Sequence, residues 1–564
     1  MLGLTLVLLA SVAAETRDAE TPRRRDAHET PRGRDAQSDS ALIQRIDSLF
    51  AVVNRTTTPG CAIGVDRAGV SVVRRAYGMA NLETGTPWTP HTISESGSVA
   101  KQFTATALVL LARDGKLSLD DDIARWVPEV RGIGKRITIR HLLTHTSGLP
   151  DRYTLHAVEG RPAGEVDHDN AEVMEMVSRL RELNFDPGED YLYSNTGYVV
   201  AAAIVERVSG QTLQQFAASR IFHPLGMTST RWREDHRAVV AGRASAYTGS
   251  FARGWQNDHP FTRVIGSGGL LTTVDDFLRW QSALLKGEGE WGAVRDSLEQ
   301  MGRLNDGTVL TYGLGVTAES WRGLRRVSHT GSTGGYRAVL HRYPEQNVAI
   351  AILCNGGSAV PGDLGPRVAQ AVFAGTLAAA PAEPAAYGGN GFDPARFAGA
   401  YHSPRTEELL ILVMRNGQLT DSVSNRVLIP IAADRFKVRG AEVHIAVVPA
   451  TNGEATRLRI ESPHSRAVEY VQVARPALPP AGRAAYAGEY RSVELNARFR
   501  IVASGDTLRL ERGVRDPITL APLYQDGFRA GPMGIIRFTR DARNRVNGFV
   551  LWAGRVRHLR FERS

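Results

Sequence analysis

Apolar residues recur along this chain at two spacings, and the alternation between them predicts its architecture. Leu42, Ile43, Ile46, Leu49 and Phe50 form one face of a helix. Strand-like runs follow at Cys61 to Asp66 and Val70 to Tyr77, joined by Arg67-Ala-Gly in a hairpin pattern. Val99, Phe103, Ala107, Leu110 and Leu111 return to helical spacing, and the run Val199 to Val208, closed by Gly210, predicts a further helix. Tyr336 to Tyr343 and Val348 to Cys354 then read as strands around the turn Pro344-Glu-Gln-Asn. Outer strands, a helical insertion and returning strands predict an α/β sandwich over residues 40–376.

The flanks carry other patterns. Residues 377–390, rich in Ala, Pro and Gly, read as a linker, and beyond them the chain repeats itself. Phe397-Ala-Gly-Ala-Tyr-His-Ser403 matches Tyr486-Ala-Gly-Glu-Tyr-Arg-Ser492, the same offset pairs Leu419 with Leu508, and Phe436 pairs with Phe528 after a short insertion. Strand-like runs alternate with turn residues between these anchors. Two small all-β antiparallel modules, barrels or sandwiches, are therefore expected at 391–474 and 479–564. The arginines of the last strand (Arg555, Arg557, Arg560) read as a solvated face, and Ser422-Val-Ser424-Asn425 belongs to the repeat. At the other end, the apolar run Leu2 to Ala14 is too short to span a bilayer and ends in small residues, as a signal peptide (1–14) does. Residues 15–39 hold almost no apolar side chains and read as a disordered linker, with order beginning near Ala41. Export to the periplasm or medium is expected, with no integral membrane segment after signal removal.

Composition narrows the function. The chain has 564 residues and 42% hydrophobic content, enough for two or three globular cores. The net charge is +9, but the arginines are scattered among acids rather than banded, which argues against nucleic-acid binding. His141 and His145 stand four apart without the glutamate that a metalloprotease helix would place after the first, so a structural role is expected and no metal or other cofactor is called for. Cys61 and Cys354 both lie in apolar strand-like runs, where buried thiols are the ordinary expectation.

The chemistry concentrates in three places. Ser98 and Lys101 stand three apart at the start of a helical run, so the amine can reach the hydroxyl close to free backbone N–H groups. A lysine here is conspicuous in a chain with five lysines and 63 arginines. Tyr193-Ser194-Asn195 follows the turn Asp186-Pro-Gly-Glu and precedes a helix. His329-Thr330-Gly331, followed by Ser332, ends a strand-like segment. A hydroxyl, a nearby base and stabilisation of an anion are the parts of an activated nucleophile.

In this order, S-x-x-K, Y-x-N and H-T-G resemble the signature of the penicillin-binding and serine β-lactamase superfamily. The tyrosine variant of the middle element resembles the class C branch with its related esterases, DD-peptidases and D-aminopeptidases. Ile139 to Leu149 and Gly266 to Asp276 resemble scaffold segments of that branch. The resemblance implies a β-lactamase/transpeptidase fold, an antiparallel sheet flanked by helices plus a helical subdomain. It implies Ser98 as nucleophile, Lys101 and Tyr193 as the base system, and Asn195 holding Lys101 and substrate. The backbone N–H groups of Ser98 and Ser332 would form the oxyanion hole. Each of Lys101 and Tyr193 is expected to lower the other's pKa. In the family the first and last strands of the sheet are neighbours, which leaves a Cys61–Cys354 disulfide open. His329 stands where many relatives carry lysine and, being mostly neutral, suits carboxylate substrates less. That histidine resembles the D-aminopeptidases and some esterases of the family, and the two β modules resemble D-aminopeptidase architecture. A serine hydrolase of D-aminopeptidase or esterase type, acting on a small molecule or short peptide with an ester or amide bond, is the reading. The alternatives are a β-lactamase or DD-peptidase, and a catalytically weak scaffold. Oligomeric state is left open.

Overall fold

A computed structural model describes residues 31–357, 361–389, 391–448, 456–474, 480–513 and 515–564. The signal-peptide assignment falls outside these residues. The centre of the structure is a six-stranded antiparallel sheet made from both ends of the region 40–376: β1 (Cys61–Arg67), β2 (Val70–Tyr77), β3 (Thr317–Trp321), β4 (Leu324–Thr333), β5 (Tyr336–Tyr343) and β6 (Val348–Cys354), in the order β3-β4-β5-β6-β1-β2. Strand alternation divides its side chains between two cores. Cys61, Ile63, Val65, Val339, Ile350 and Ile352 face the helices α1 (Pro31–Phe50) and α5 (Pro361–Val372), packing on Leu42, Ile46, Phe50 and Val368. On the opposite face Leu340 and Leu353 are interspersed with the small Ala62, Ala338, Ala349 and Ala351. This allows α4 (Val274–Lys286) to close on the sheet, and at Gly64 an added Cβ would sit 2.4 Å from the Leu278 side chain.

Two expectations change here. Cys61 and Cys354 face each other in the β1–β6 register and form a disulfide, not two buried thiols. Helix α1 begins at Pro31 instead of near Ala41, so residues 31–39 of the expected disordered linker are helical. Proline suits the first helical position, and the apolar face docked further along supports the extra turns.

The helical subdomain between β2 and β3 holds α2 (Lys101–Arg113) and α3 (Asn195–Ser209), which pack together in the larger core. After α5 come two eight-stranded antiparallel units. The first runs from Gly399 to Val473, and its outermost strands meet at the bridge Thr420–Val427. The second, from Gly488 to Arg563, is a closed barrel. The repeat has a common structural cause: the Tyr401 hydroxyl donates to the Phe397 carbonyl (3.0 Å) and the Tyr490 hydroxyl to the Tyr486 carbonyl (2.7 Å). Each bond ties a short turn to the first strand of its unit.

Candidate active site

Ser98 lies in a 3-10 turn, Gly97–Ala100, that runs directly into α2. The turn is anchored because Ser94–Glu95 pairs with Leu270–Thr272 and the Ser96 N–H donates to the Leu270 carbonyl at 2.8 Å. The second half of β4 has no partner at β3, whose pairing stops at Ser328, so residues 329–333 present an edge to this turn. The approach is close enough to require glycine. A Cβ on Gly331 would stand 1.9 Å from the Ser96 carbonyl oxygen and 3.1 Å from the Ser98 nitrogen, and one on Gly97 would stand 2.5 Å from the Ser332 nitrogen. The backbone nitrogens of Ser98 and Ser332 are thus held on either side of one narrow contact.

The Lys101 side chain is fully buried, and its Nζ contacts Ser98 Oγ (3.1 Å), Asn195 Oδ1 (2.8 Å) and the Ser267 carbonyl (2.6 Å). Burial pushes the amine well below its ordinary pKa; Asp151 opposes this, and Arg555 and Arg152 add to it. A neutral amine fits the same geometry, donating to Asn195 and Ser267 while its lone pair faces the Ser98 hydroxyl. Tyr193 lines the cavity with Ser98, and Lys101 Nζ lies 4.8 Å from its ring centroid. The expected mutual lowering is corrected for the tyrosine: burial raises the phenol above its ordinary pKa, outweighing the opposing influence of Ser98 and of the Arg555 charge. Lysine meets the ring face rather than the hydroxyl, and desolvation dominates.

His329 is buried. Its Nδ1–H donates to the Thr330 carbonyl (2.6 Å), which leaves Nε2 to accept from the Tyr312 hydroxyl (2.9 Å). Burial, helped by Lys101, lowers its pKa to about 4, so the ring is neutral through the range where a free histidine titrates. Ser98, Tyr193, Asn195, His329, Thr330, Gly331 and Ser332 line one cavity of about 830 Å³, with Lys101 buried in its floor.

Sequence reasoning did not place three residues at this site: Asp151, which it did not name, His145, expected to be structural, and Arg555, expected on a solvated face. Asp151 accepts from the backbone (2.7 Å) and side-chain (2.8 Å) N–H groups of Asn195, and from the Tyr153 N–H (3.0 Å). It is the N-cap of a short helix, and Leu149-Pro-Asp was a visible capping signal. His145 accepts from the Ser194 N–H (3.1 Å) and packs with its ring centroid 4.0 Å from that of Tyr193. His141 instead completes a capping box with Thr138. The third is Arg555, at the tip of the hairpin between β7 (Val546–Ala553) and β8 (Val556–Arg563) of the closed barrel, with its guanidinium 4.7 Å from the Tyr193 ring centroid. The solvated-face expectation for the last strand is therefore corrected. Arg557 is buried and pairs with Asp190 at 3.2 Å, whereas Arg560, paired with Glu182 at 2.7 Å, and Arg555 at the mouth of the cavity are exposed. The barrel docks on the catalytic region through these ion pairs.

Among the described residues no group of three or more His, Cys, Asp or Glu is arranged to hold a metal ion, and no helix is long and apolar enough to cross a membrane. A sheet with a serine–lysine–tyrosine cluster at the end of a helical subdomain defines the penicillin-binding class of serine hydrolase folds. The beta-lactamase family model matches residues 44–373, and the chain belongs to that family as a serine hydrolase. It is 30% identical to penicillin-binding protein 4* of Bacillus subtilis over 335 residues, 55% of this chain and 71% of that protein. It is 25% identical to a D-aminopeptidase of Brucella melitensis over 534 residues, 91% of this chain and 98% of that protein. The fold is also that of an octameric penicillin-binding protein homologue from Pyrococcus abyssi, with a TM-score of 0.52 at 22% identity, covering 78% of this chain and 99% of that one.

Proposed function

We propose that this chain is an exported peptidase of D-aminopeptidase type, opening small amide or ester bonds through an acyl-enzyme on Ser98. One observation carries the reading: Ser98 Oγ is contacted by a desolvated amine, Lys101 Nζ at 3.1 Å, with the Tyr193 phenol in the same cavity. Lys101, drawn toward its neutral form, takes the Ser98 proton as Oγ attacks the substrate carbonyl. The N–H groups of Ser98 and Ser332 receive the oxyanion. Tyr193, held protonated by burial, delivers a proton to the leaving group. Water then attacks the ester by the same relay in reverse, and Asp151 keeps the Asn195 amide turned toward Lys101 and substrate. The similarity to the Brucella D-aminopeptidase, which extends through the β units, supports a peptidase over a β-lactamase, and the neutral His329 leaves the third motif without the cation that many relatives carry there. The Cys61–Cys354 disulfide supports export, since such bonds persist in oxidising compartments. A rate panel of D- and L-aminoacyl amides, p-nitrophenyl esters, a D-Ala-D-Ala peptide and a chromogenic cephalosporin tests the reading. D-aminoacyl amides should be turned over fastest. A preference for the cephalosporin overturns it in favour of a β-lactamase, and no turnover of any member overturns it in favour of a scaffold.

A further inference from the structure

The arginine at the barrel hairpin tip is fixed in backbone and unpaired in charge. Its carbonyl accepts from the Asp151 N–H (3.2 Å) and from Asn184 Nδ2 (3.1 Å), and Asn184 Oδ1 accepts from the Arg557 N–H (2.6 Å). The left-handed Gly554 makes the turn (φ 58°). Residues 557 and 560 on the same strand have carboxylate partners, whereas among the described residues no ion pair or hydrogen bond occupies the Arg555 guanidinium, which is exposed to the cavity over the Tyr193 ring. Of the other charged side chains lining the cavity, Asp151 is spent on the Asn195 and Tyr153 N–H groups, Arg337 donates to the Gly334 and Tyr336 carbonyls beyond the end of β4, and the Asp258 charge acts on Arg337. The third motif supplies a neutral imidazole.

We propose that Arg555, carried into the cleft by the second β unit, is a specificity-determining residue that binds a carboxylate of the substrate beside the scissile bond. A guanidinium offers two parallel N–H donors to a carboxylate, and one already oriented on an aromatic face loses little freedom on binding. Two sources fit: the free carboxylate of a leaving amino acid, as in a dipeptide, or one on the acyl portion. The inference deepens the hydrolase reading and rests on it only for the word substrate.

Matched pairs separate the sources: D-alanyl-glycine against D-alanyl-glycinamide for the leaving side, and the p-nitrophenyl monoester of succinate against p-nitrophenyl pentanoate for the acyl side. Selectivity is the ratio of kcat/KM within each pair, and of Kd within each pair on a Ser98→Ala background, where no turnover is needed. The parent should favour the carboxylate member of one pair, and Arg555→Gln should lower that ratio about tenfold to a hundredfold. Arg555→Lys should retain part of it, and Arg555→Glu should fall below Gln. Added salt should erode the parent's preference but not that of the Gln variant. Ratios unchanged by Gln, Lys and Glu in both pairs would overturn the assignment. Because the Kd ratio is independent of turnover, its failure is distinct from failure of the hydrolase reading.

Discussion

Replacing Asp151 with Asn changes one atom and tests how Asn195 and Lys101 are set. The carboxylate accepts three N–H groups, two from Asn195 (2.7 and 2.8 Å) and one from Tyr153 (3.0 Å). An amide has a single oxygen. If it faces Asn195, its own NH2 meets the Tyr153 N–H; if it turns over, both Asn195 donors lose their acceptor. At least one buried donor is left unsatisfied, at a cost of about 1–3 kcal/mol. Where the lost bonds are those of Asn195, the amide that contacts Lys101 is released, and kcat/KM should fall about tenfold to a hundredfold. The charge acts separately. Asp151 favours the protonated amine, so removing it should lower the Lys101 pKa further and move the acid limb of the rate profile to lower pH. The assay is kcat/KM against pH for Asp151→Asn beside the parent. A slower enzyme whose acid limb has moved down agrees with the reasoning. An unchanged rate and limb, or a limb moved up, refutes it.

Lys101→Ala, Tyr193→Phe and the double variant should each lose roughly three orders of magnitude, the double no worse than the singles, because the two share one proton relay; additive losses in kcat would assign them to separate steps. His329 should show neutral-ring nitrogen NMR shifts, with the proton on Nδ1, from pH 8 to 5; protonation within that window would contradict its burial against Tyr312. Arg537→Ala leaves the buried Glu407 with His402 as its remaining partner and should destabilise the docked β units by about 1–3 kcal/mol, lowering their melting midpoint. Although burial alone would raise the Glu407 pKa, hydrogen bonds from His402 and Arg537 hold it at about 2. The pair's contribution is therefore full above pH 4.5 and fades as pH falls toward 2, and the difference in melting midpoint between parent and variant should shrink over that range.

What could be read from the chain was what local spacing encodes. Ser98 and Lys101 meet because i and i+3 share a helix face, and Tyr401 and Tyr490 make the same bond to the same turn because the repeat preserves both partners. The fold class followed from strands returning after a helical insertion. Contacts that depend on docking were not readable. Arg555 reaches Tyr193 across more than 350 residues, and an alternating arginine strand looks the same whether it faces water or a neighbouring unit. The direction of the Tyr193 shift depends on how completely the ring is desolvated, which no spacing records. The cysteines could be judged only once β1 and β6 were seen in register. Asp151 was legible as a helix cap, but its second use on Asn195 was not.

The central claim is that Ser98 becomes acylated. Incubating the intact protein with a fluorophosphonate, or with a slowly released substrate followed by acid quench, and mapping the adduct by peptide mass spectrometry tests it directly. The account predicts a single adduct on Ser98, absent from Ser98→Ala and strongly slowed in Lys101→Ala. An adduct on another residue, or Ser98→Ala turning over substrate at the parent rate, would contradict it.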